Sequence, residues 1–290
     1  MDKILLQIDE SRRYVDSMLQ KCMRNDEPLL AKLYNSVNYS LQFGGKRVRP
    51  TFCFLVGELF GVERTRLASL ACAVEMIHTA SLIMDDLPHM DNGKMRRGKA
   101  ANHRVYGQDV ASLASIGLLM RAYELIAEDK KMSDKNRTEI IGNLAINVGL
   151  NGMVGGQFVD LKFSNPNIDS SIMEYIHFHK TASLFIASGK GAAIIGKADD
   201  EERLAIEDYA KYLGFAFQVA DDLMDSIGSA EVAGKDKEKD RGNFVKLLGV
   251  SDSKKIIKRY AEKAGNVLKI FKGKGEKLLA LRDILLKESL

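Results

Sequence analysis

The stretch from Asp85 to Arg97 reads Asp-Asp-Leu-Pro-His-Met-Asp-Asn-Gly-Lys-Met-Arg-Arg. Its first carboxylates stand at the end of an apolar run, Ala80 to Met84, and paired arginines close it. Burying either sign of charge alone is costly. Acids and bases this close together at an apolar helix end therefore point to a polyanionic ligand with divalent cations between the two. The Asp residues would hold Mg²⁺, and Mg²⁺ and the Arg residues would hold phosphate oxygens. An Asp pair alone is more often solvated surface or a helix cap. The chain carries its own example in Asp199-Asp200-Glu201-Glu202, ahead of the periodic Leu204, Ile206 and Tyr209. That tetrad reads as an N-cap with acids at the positive helix end.

A second acidic stretch sets Asp85 and Asp86 apart from a cap. In Phe215-Ala-Phe-Gln-Val-Ala-Asp-Asp-Leu-Met-Asp225, Asp221 and Asp222 lie four and three residues before Asp225, so all three can line one helix face. Three like charges on one face repel, and a bound divalent cation relieves that repulsion. Gln218 lies one turn earlier on the same face. Asp91 is six residues beyond Asp85 and would not align with it on a straight helix, but Pro88 ends or bends the helix and can bring the two together.

Cations are grouped as well. In Gly44-Gly45-Lys46-Arg47-Val48-Arg49-Pro50, glycines that allow close backbone approach sit beside three cations, which is a possible phosphate cradle. The plain alternative is a basic loop before a helix that begins near Pro50. Lys180-Thr181 falls inside an apolar stretch, and Lys is rarely buried unless paired, so Lys180 requires an anion. His78 lies on an apolar helix with Glu75, about two turns before Asp85 and on nearly the same face. Such a histidine is more often a satisfied core residue, but this one can look into the same space as Asp85.

Helices must position these groups. The chain has 290 residues, 46% of them hydrophobic, with four prolines and no tryptophan, and it lacks the alternating runs and hairpin turns of strands. Helical spacing predicts elements over 1–24, from Leu29 to Leu41, over 51–61 and 66–84, from Val110 to Ile126 and from Ile140 to Asp160. Further helices run through Tyr175 to Ile186, from about Ile206 to Asp225, and from Ile256 to Leu285. Gly149, Gly152, Gly155 and Gly156 are expected to allow close helix packing, with Gln157 and Asp160 reaching toward one face. Ser164 to Asp169 reads as a turn and cap. Gly228 to Asn243 reads as a solvated, alternately charged loop that could close over a ligand. No linker or composition shift divides the chain, so residues 1–290 are expected to form a single domain.

The net charge of +4 is interspersed and forms no patch, which argues against nucleic acid as a partner. Cys22, Cys53 and Cys72 contain no Cys-x-x-Cys spacing, consistent with reduced thiols in the cytoplasm. The N-terminus is too charged for a secretory signal. No uninterrupted apolar stretch reaches the ~18 residues of a membrane span, so no integral membrane segment is expected.

Two Asp-rich helix ends, an arginine pair after the first, and Gly-Gly-Lys-Arg-x-Arg-Pro before it closely resemble the trans-isoprenyl diphosphate synthases. The resemblance runs in order from Gly44 to Gly249. It implies an all-α fold, a helical bundle around a deep central cavity, and a homodimer. It also implies that Asp85, Asp86 and Asp91, in the longer Asp-Asp-x-x-x-x-Asp form, and Asp221, Asp222 and Asp225 hold an allylic diphosphate through Mg²⁺. Arg96, Lys180 and Lys235 would contact that diphosphate directly. Gly45, Lys46, Arg49, His78 and Arg97 would bind the diphosphate of isopentenyl diphosphate. Thr181 and Gln218 would lie beside the allylic carbon where positive charge develops. Such chemistry needs a neutralised leaving group, an electrostatic and Lewis-acid task, and an apolar pocket for the growing chain.

The chain departs from the family pattern in three places. Gly93 and Lys94 replace further acids after the first motif, Ala114-Ser115-Ile116-Gly117 lacks the Gly-Asp before the Leu pair, and Arg241 replaces a lysine. Product length in such enzymes depends on the residues one turn before the first Asp, here Ala80 and Ser81. Their small size points to geranylgeranyl diphosphate rather than farnesyl diphosphate, since each further buried CH₂ is worth roughly 0.8 kcal/mol. A terpene cyclase-like enzyme would need no second diphosphate site, and a non-catalytic partner subunit usually lacks motif Asp residues. This chain keeps both.

Overall fold

In the computed structural model the described residues are 2–42, 44–163, 169–227, 244–287 and 289. Helices dominate, in the order α1 Asp2–Cys22, α2 Ala31–Gln42, α3 Val48–Leu59, α4 Arg64–Asp85, α5 Asn102–Tyr106, α6 Gln108–Ala127, α7 Asp134–Val148 and α8 Met153–Phe163. Then come α9 Ser170–Ile176, a π-helical segment His177–Ala182, α10 Ser183–Ile195, α11 Asp200–Ile227, α12 Phe244–Val267 and α13 Glu276–Leu286. Two-residue strands, β1 Met95–Arg96 and β2 Lys99–Ala100, pair antiparallel in the loop after α4.

Helix α4 sits at the centre because it is apolar nearly all round. Leu67, Leu70, Met76 and Ile77 are fully buried, each contributing roughly 1.5–3 kcal/mol. It packs on α3, α6 and α10, while α11 packs on α10, the π segment and α12. Gly189 and Gly191 let α10 lie close, since a Cβ there would fall 2.7 Å from Phe52 and 2.8 Å from Leu70. The acidic tetrad is the expected cap of α11: Glu202 N–H donates to Asp199 Oδ1 at 2.8 Å and Asp199 N–H to Glu202 Oε2 at 3.0 Å.

Several expectations are revised. The run from Ile140 to Asp160 is two helices, α7 and α8, not one. Gly149, Gly152 and Gly155 chiefly face the backbone of residues 145–150 where α7 turns into α8, and Gly156 lies against the backbone of the π segment. Helix α3 starts at Val48, two residues before Pro50, and α12 is kinked at Gly249, where φ is 80°. By length and composition α4 and α6 could each cross a membrane, although neither holds an uninterrupted apolar run of that length. Helix α4 is largely buried in the core, whereas α6 leaves Leu113, Ile116 and Met120 exposed along one side. Of the turn and cap expected at Ser164 to Asp169, residues 164–168 lie outside the described residues, as does the loop at 228–243, while Asp169 caps α9 by accepting from the Ser171 N–H at 2.6 Å.

Candidate active site

The first acidic motif follows from how α4 ends. The helix stops at Asp85, Leu87 to Asn92 curl into tight turns, and the Asp91 N–H donates to Asp85 O at 2.7 Å. Asp91 is thereby folded back beside Asp85, as the position of Pro88 predicted. Burial raises the Asp85 pKa above the ordinary carboxylate value. Asp91 and Asp86 add to the rise, while Lys180 and Arg96 oppose it.

Asp86 behaves differently from its neighbour. It is 3% exposed, and Arg96 forks onto it with Nε to Oδ2 at 3.0 Å and Nη2 to Oδ1 at 2.6 Å. Gly93 leaves room for this arrangement, because a Cβ there would lie 2.5 Å from Asp86 Oδ1. Burial works against the Arg96 charge, but Asp86, Asp85 and Asp91 outweigh it.

Lys180 and Thr181 come from the π segment, a geometry with i to i+5 bonding that is rare and concentrated at functional sites. Lys180 finds its anion in Asp160 on α8, at 2.7 Å. Gly156, one turn before Asp160, makes the approach possible: a Cβ there would lie 2.3 Å from the Lys180 backbone N. Burial disfavours the Lys180 charge, but Asp85, Asp160 and Asp91 hold its pKa above the usual lysine value. The π segment therefore faces the first motif. Thr181 Oγ1 donates to Gln218 Oε1 at 2.8 Å, and Gln218 Nε2 donates to Asp222 Oδ1 at 3.0 Å.

The second motif occupies the last turns of α11. Asp221 and Asp222 are half-buried and Asp225 is exposed. Asp222 Oδ2 is buried without a hydrogen-bond partner. Burial, opposed by Gln218 and reinforced by Asp221 and Asp225, lifts the Asp222 carboxyl to about 7. An orphaned buried carboxylate oxygen beside two further carboxylates fits an oxygen-seeking divalent cation. As the side chains stand, no three His, Cys, Asp or Glu groups converge on a single metal position among the described residues. Asp86, expected as a ligand, commits both oxygens to Arg96.

The basic half gathers opposite. Arg97 Nη1 donates to Gly44 O, and the bare Gly45 lies against the Arg97 guanidinium, 2.9 Å from where a Cβ would sit. Arg49 Nη1 stands 3.5 Å from His78 Nε2, and its guanidinium lies 4.8 Å over the Phe185 ring. Burial, then Arg49, Arg97, Arg96 and Arg47, drive the His78 pKa well below its ordinary value, so the ring is neutral. Burial pushes Arg49 down to about 10, with Glu75 and Asp221 pulling it back and Arg97 adding to the drop. Asp221 thus faces the basic half. Lys46 is exposed beside it. Non-glycine residues with positive φ cluster here: Arg47, Asn92 and Arg97 have φ of 45°, 52° and 53°, and such strain concentrates at functional loops.

Of the expected site residues, only Lys235 lies outside the described residues, as does the departure at Arg241. Sequence reasoning missed His177, whose Nε2 stands 3.4 Å from Asp222 Oδ2. Burial holds that ring neutral, down to about 3. The His-x-His pair before Lys180-Thr181 is the signal that could have flagged it. Two cavities adjoin the region. One of about 30 Å³ lies between α2 and α4, lined by Tyr39, Thr79, Leu82, Asp86 and Arg96, and one of about 90 Å³ lies beside Asp16 and Arg47. Neither is the deep central chamber that the family resemblance implied.

The comparisons agree with this geometry. The family model described as Polyprenyl synthetase matches residues 30–246. The chain is 41% identical over 263 residues to the chloroplastic geranylgeranyl pyrophosphate synthase of Catharanthus roseus, covering 89% of this chain and 73% of that one. Among solved structures, an FPP/GFPP synthase from Zymomonas mobilis aligns with a TM-score of 0.88 and 30% identity, covering 99% of each chain. A geranyltransferase from Helicobacter pylori, complexed with magnesium and isoprenyl diphosphate, aligns with a TM-score of 0.84 and 27% identity, over 97% of this chain and 98% of that one. The all-α chain with two acidic motifs and a basic cradle therefore belongs to the polyprenyl synthetase family, the trans-isoprenyl diphosphate synthases, which are prenyltransferases.

Proposed function

We propose that this prenyltransferase joins isopentenyl diphosphate to an allylic diphosphate and extends the product to geranylgeranyl diphosphate. The observation that carries this reading is the division of the site into acidic stretches, Asp85 and Asp91 around Lys180 and Asp221 to Asp225 beyond Gln218, and a separate group of cations, Arg49 and Arg97, gathered around His78. Both halves suit a diphosphate, one through metal and one directly. Mg²⁺ would be held by Asp85 and Asp91 on one side and by Asp221, Asp222 and Asp225 on the other. When bound, it would supply charge neutralisation for the departing diphosphate. Mg²⁺ in the solved geranyltransferase complex supports the same choice of metal.

Each group then has a task. Arg96 and Lys180 are pre-paired with Asp86 and Asp160, so they are fixed in place before substrate arrives. Lys46, Arg49 and Arg97 would hold the second diphosphate, with neutral His78 adding a hydrogen bond. The Thr181–Gln218 pair presents its oxygens beside the reacting carbon, where they stabilise developing positive charge. Loss of the final proton to the departing diphosphate requires no side-chain base.

The geranylgeranyl reading rests on the small Ala80 and Ser81 and on the similarity to a geranylgeranyl pyrophosphate synthase. Farnesyl diphosphate is the second reading, favoured by the name of the Zymomonas mobilis neighbour. The exposed Leu113, Ile116 and Met120 on α6, with Ile146 on α7 and Val154 and Phe158 on α8, give an apolar face that a second copy of the chain would cover. A cytoplasmic homodimer is the state we propose. The test supplies labelled isopentenyl diphosphate with dimethylallyl, geranyl or farnesyl diphosphate, with and without Mg²⁺. Metal-dependent growth stopping at geranylgeranyl is expected. Growth stopping at farnesyl moves the assignment to the second reading, and no incorporation with any primer refutes both.

A further inference from the structure

Arg47 is the middle cation of Lys46-Arg47-Val48-Arg49, and it does not face the site. Its side chain is 1% exposed. Its Nε donates to Asp16 Oδ1 on α1 at 2.8 Å, its Nη1 to Glu75 Oε1 on α4 at 2.5 Å, and its Nη2 to Leu41 O on α2 at 2.5 Å. One guanidinium thus joins three helices to the loop that carries Lys46. Its backbone is left-handed, with φ of 45°, a conformation that persists only when the surroundings over-determine it. That left-handed step sends Arg47 inward while its neighbours stay at the site: Lys46 is exposed, and Arg49, two residues on, stands 3.5 Å from His78.

Glu75 is the second part of the arrangement. It is 2% exposed and lies one turn before His78 on α4. Its charge is felt by Arg47, Arg49 and Arg97 alike. Guanidiniums gathered for an anion repel one another until the anion arrives, and a buried carboxylate beneath them offsets that repulsion. We infer that Arg47, clamped by Glu75 and Asp16, is a positioning residue for the isopentenyl diphosphate cradle, and that Glu75 is the countercharge that keeps Arg47, Arg49 and Arg97 assembled. The inference rests on the reading of Lys46, Arg49 and Arg97 as a diphosphate site.

The experiment measures kcat and both KM values for Arg47→Lys, for Glu75→Gln, and for the double variant Arg47→Met/Glu75→Leu. Lysine keeps the charge but lacks the fork that reaches three partners. The double variant replaces a buried ion pair with apolar side chains, a change that is often neutral for stability, so it separates positioning from folding. All three should raise KM for isopentenyl diphosphate tenfold or more, with kcat and the KM for the allylic diphosphate within twofold of wild type. A folded double variant with wild-type KM for isopentenyl diphosphate overturns the inference, as does a parallel rise of both KM values. An Asp16→Asn variant keeps the test open if the others fail to fold. It loses one of the three anchors, at a half-exposed partner, and a KM change confined to isopentenyl diphosphate is again the expected result. A wild-type enzyme that incorporates no isopentenyl diphosphate would refute the diphosphate-site reading separately.

Discussion

Gly156→Ala tests how the π segment is held against α8. The added Cβ would lie 2.3 Å from the Lys180 backbone N, 2.8 Å from the His179 carbonyl carbon and 2.9 Å from His179 Cβ. Packed carbons prefer about 3.5–4.0 Å, so α8 and the π segment must part by roughly 1 Å. Asp160 is one turn further along α8, and its 2.7 Å contact with Lys180 Nζ would stretch beyond hydrogen-bonding range. Overpacking costs about 1–3 kcal/mol, and the charged hydrogen bond adds about 1.5–3 kcal/mol. A total on the order of 3 kcal/mol lowers the melting temperature by roughly 5–10 °C. Misplacing Lys180 by that distance slows turnover by about 10²-fold. KM for isopentenyl diphosphate should stay near wild type, because Arg49 and His78 lie on α3 and α4. Asp160→Asn, which loses the charge without overpacking, should show the slower turnover with a smaller change in melting. Thermal unfolding and steady-state kinetics on the two variants are the assays. A Gly156→Ala protein that melts and turns over like wild type would refute the reasoning.

Other perturbations have equally definite outcomes. Ala80→Tyr should shorten the product, read by chromatography of the dephosphorylated alcohols, and an unchanged product distribution would sink the pocket-floor argument; Ala80 is 4% exposed and its carbonyl accepts from Ser115 Oγ at 2.8 Å, so melting should be followed alongside. Burial lifts Asp222 to about 7 in the folded protein, above the ~3.9 of a free aspartate. Its contribution to metal-free stability is therefore present below the lower value and lost as pH rises through about 7, by up to roughly 4 kcal/mol, and Asp222→Asn should flatten that fall. Mg²⁺ must displace the same proton, so its affinity should weaken about tenfold per pH unit below 7; titration calorimetry showing affinity independent of pH would contradict the assignment. Ile116→Glu combined with Met120→Lys should convert a dimer to monomers in sedimentation, because both side chains lie on the exposed face of α6. A variant that stays dimeric would place the interface elsewhere.

The elements that carry the site were readable because each has a local signal. Apolar periodicity gave α4 and α11, Pro88 gave the fold-back of Asp91, and Gly44-Gly45 gave the end of α2. The family resemblance set Thr181 and Gln218 beside the same reacting carbon, and the structure joins the two at 2.8 Å. What could not be read is set by partners distant in sequence. Arg47 read only as one of three cations in a possible cradle, whereas its partners are Asp16 and Glu75, 31 and 28 residues away. The anion that Lys180 requires is Asp160, 20 residues back on another helix. The π segment has no compositional mark, since its register depends on packing against Gly156. The break between α7 and α8 falls in a glycine-rich run that would serve equally for packing or for a turn.

The division of labour between the two halves is the central claim, and equilibrium binding tests it most directly. Isopentenyl diphosphate and an unreactive thiolo analogue of dimethylallyl diphosphate would each be titrated by calorimetry, with Mg²⁺ and with chelator. The account predicts that isopentenyl diphosphate binds in the presence of chelator, that the allylic analogue requires Mg²⁺, and that Arg49→Met removes the first interaction while sparing the second. Binding of the allylic analogue without metal, or loss of both ligands in Arg49→Met, would contradict it.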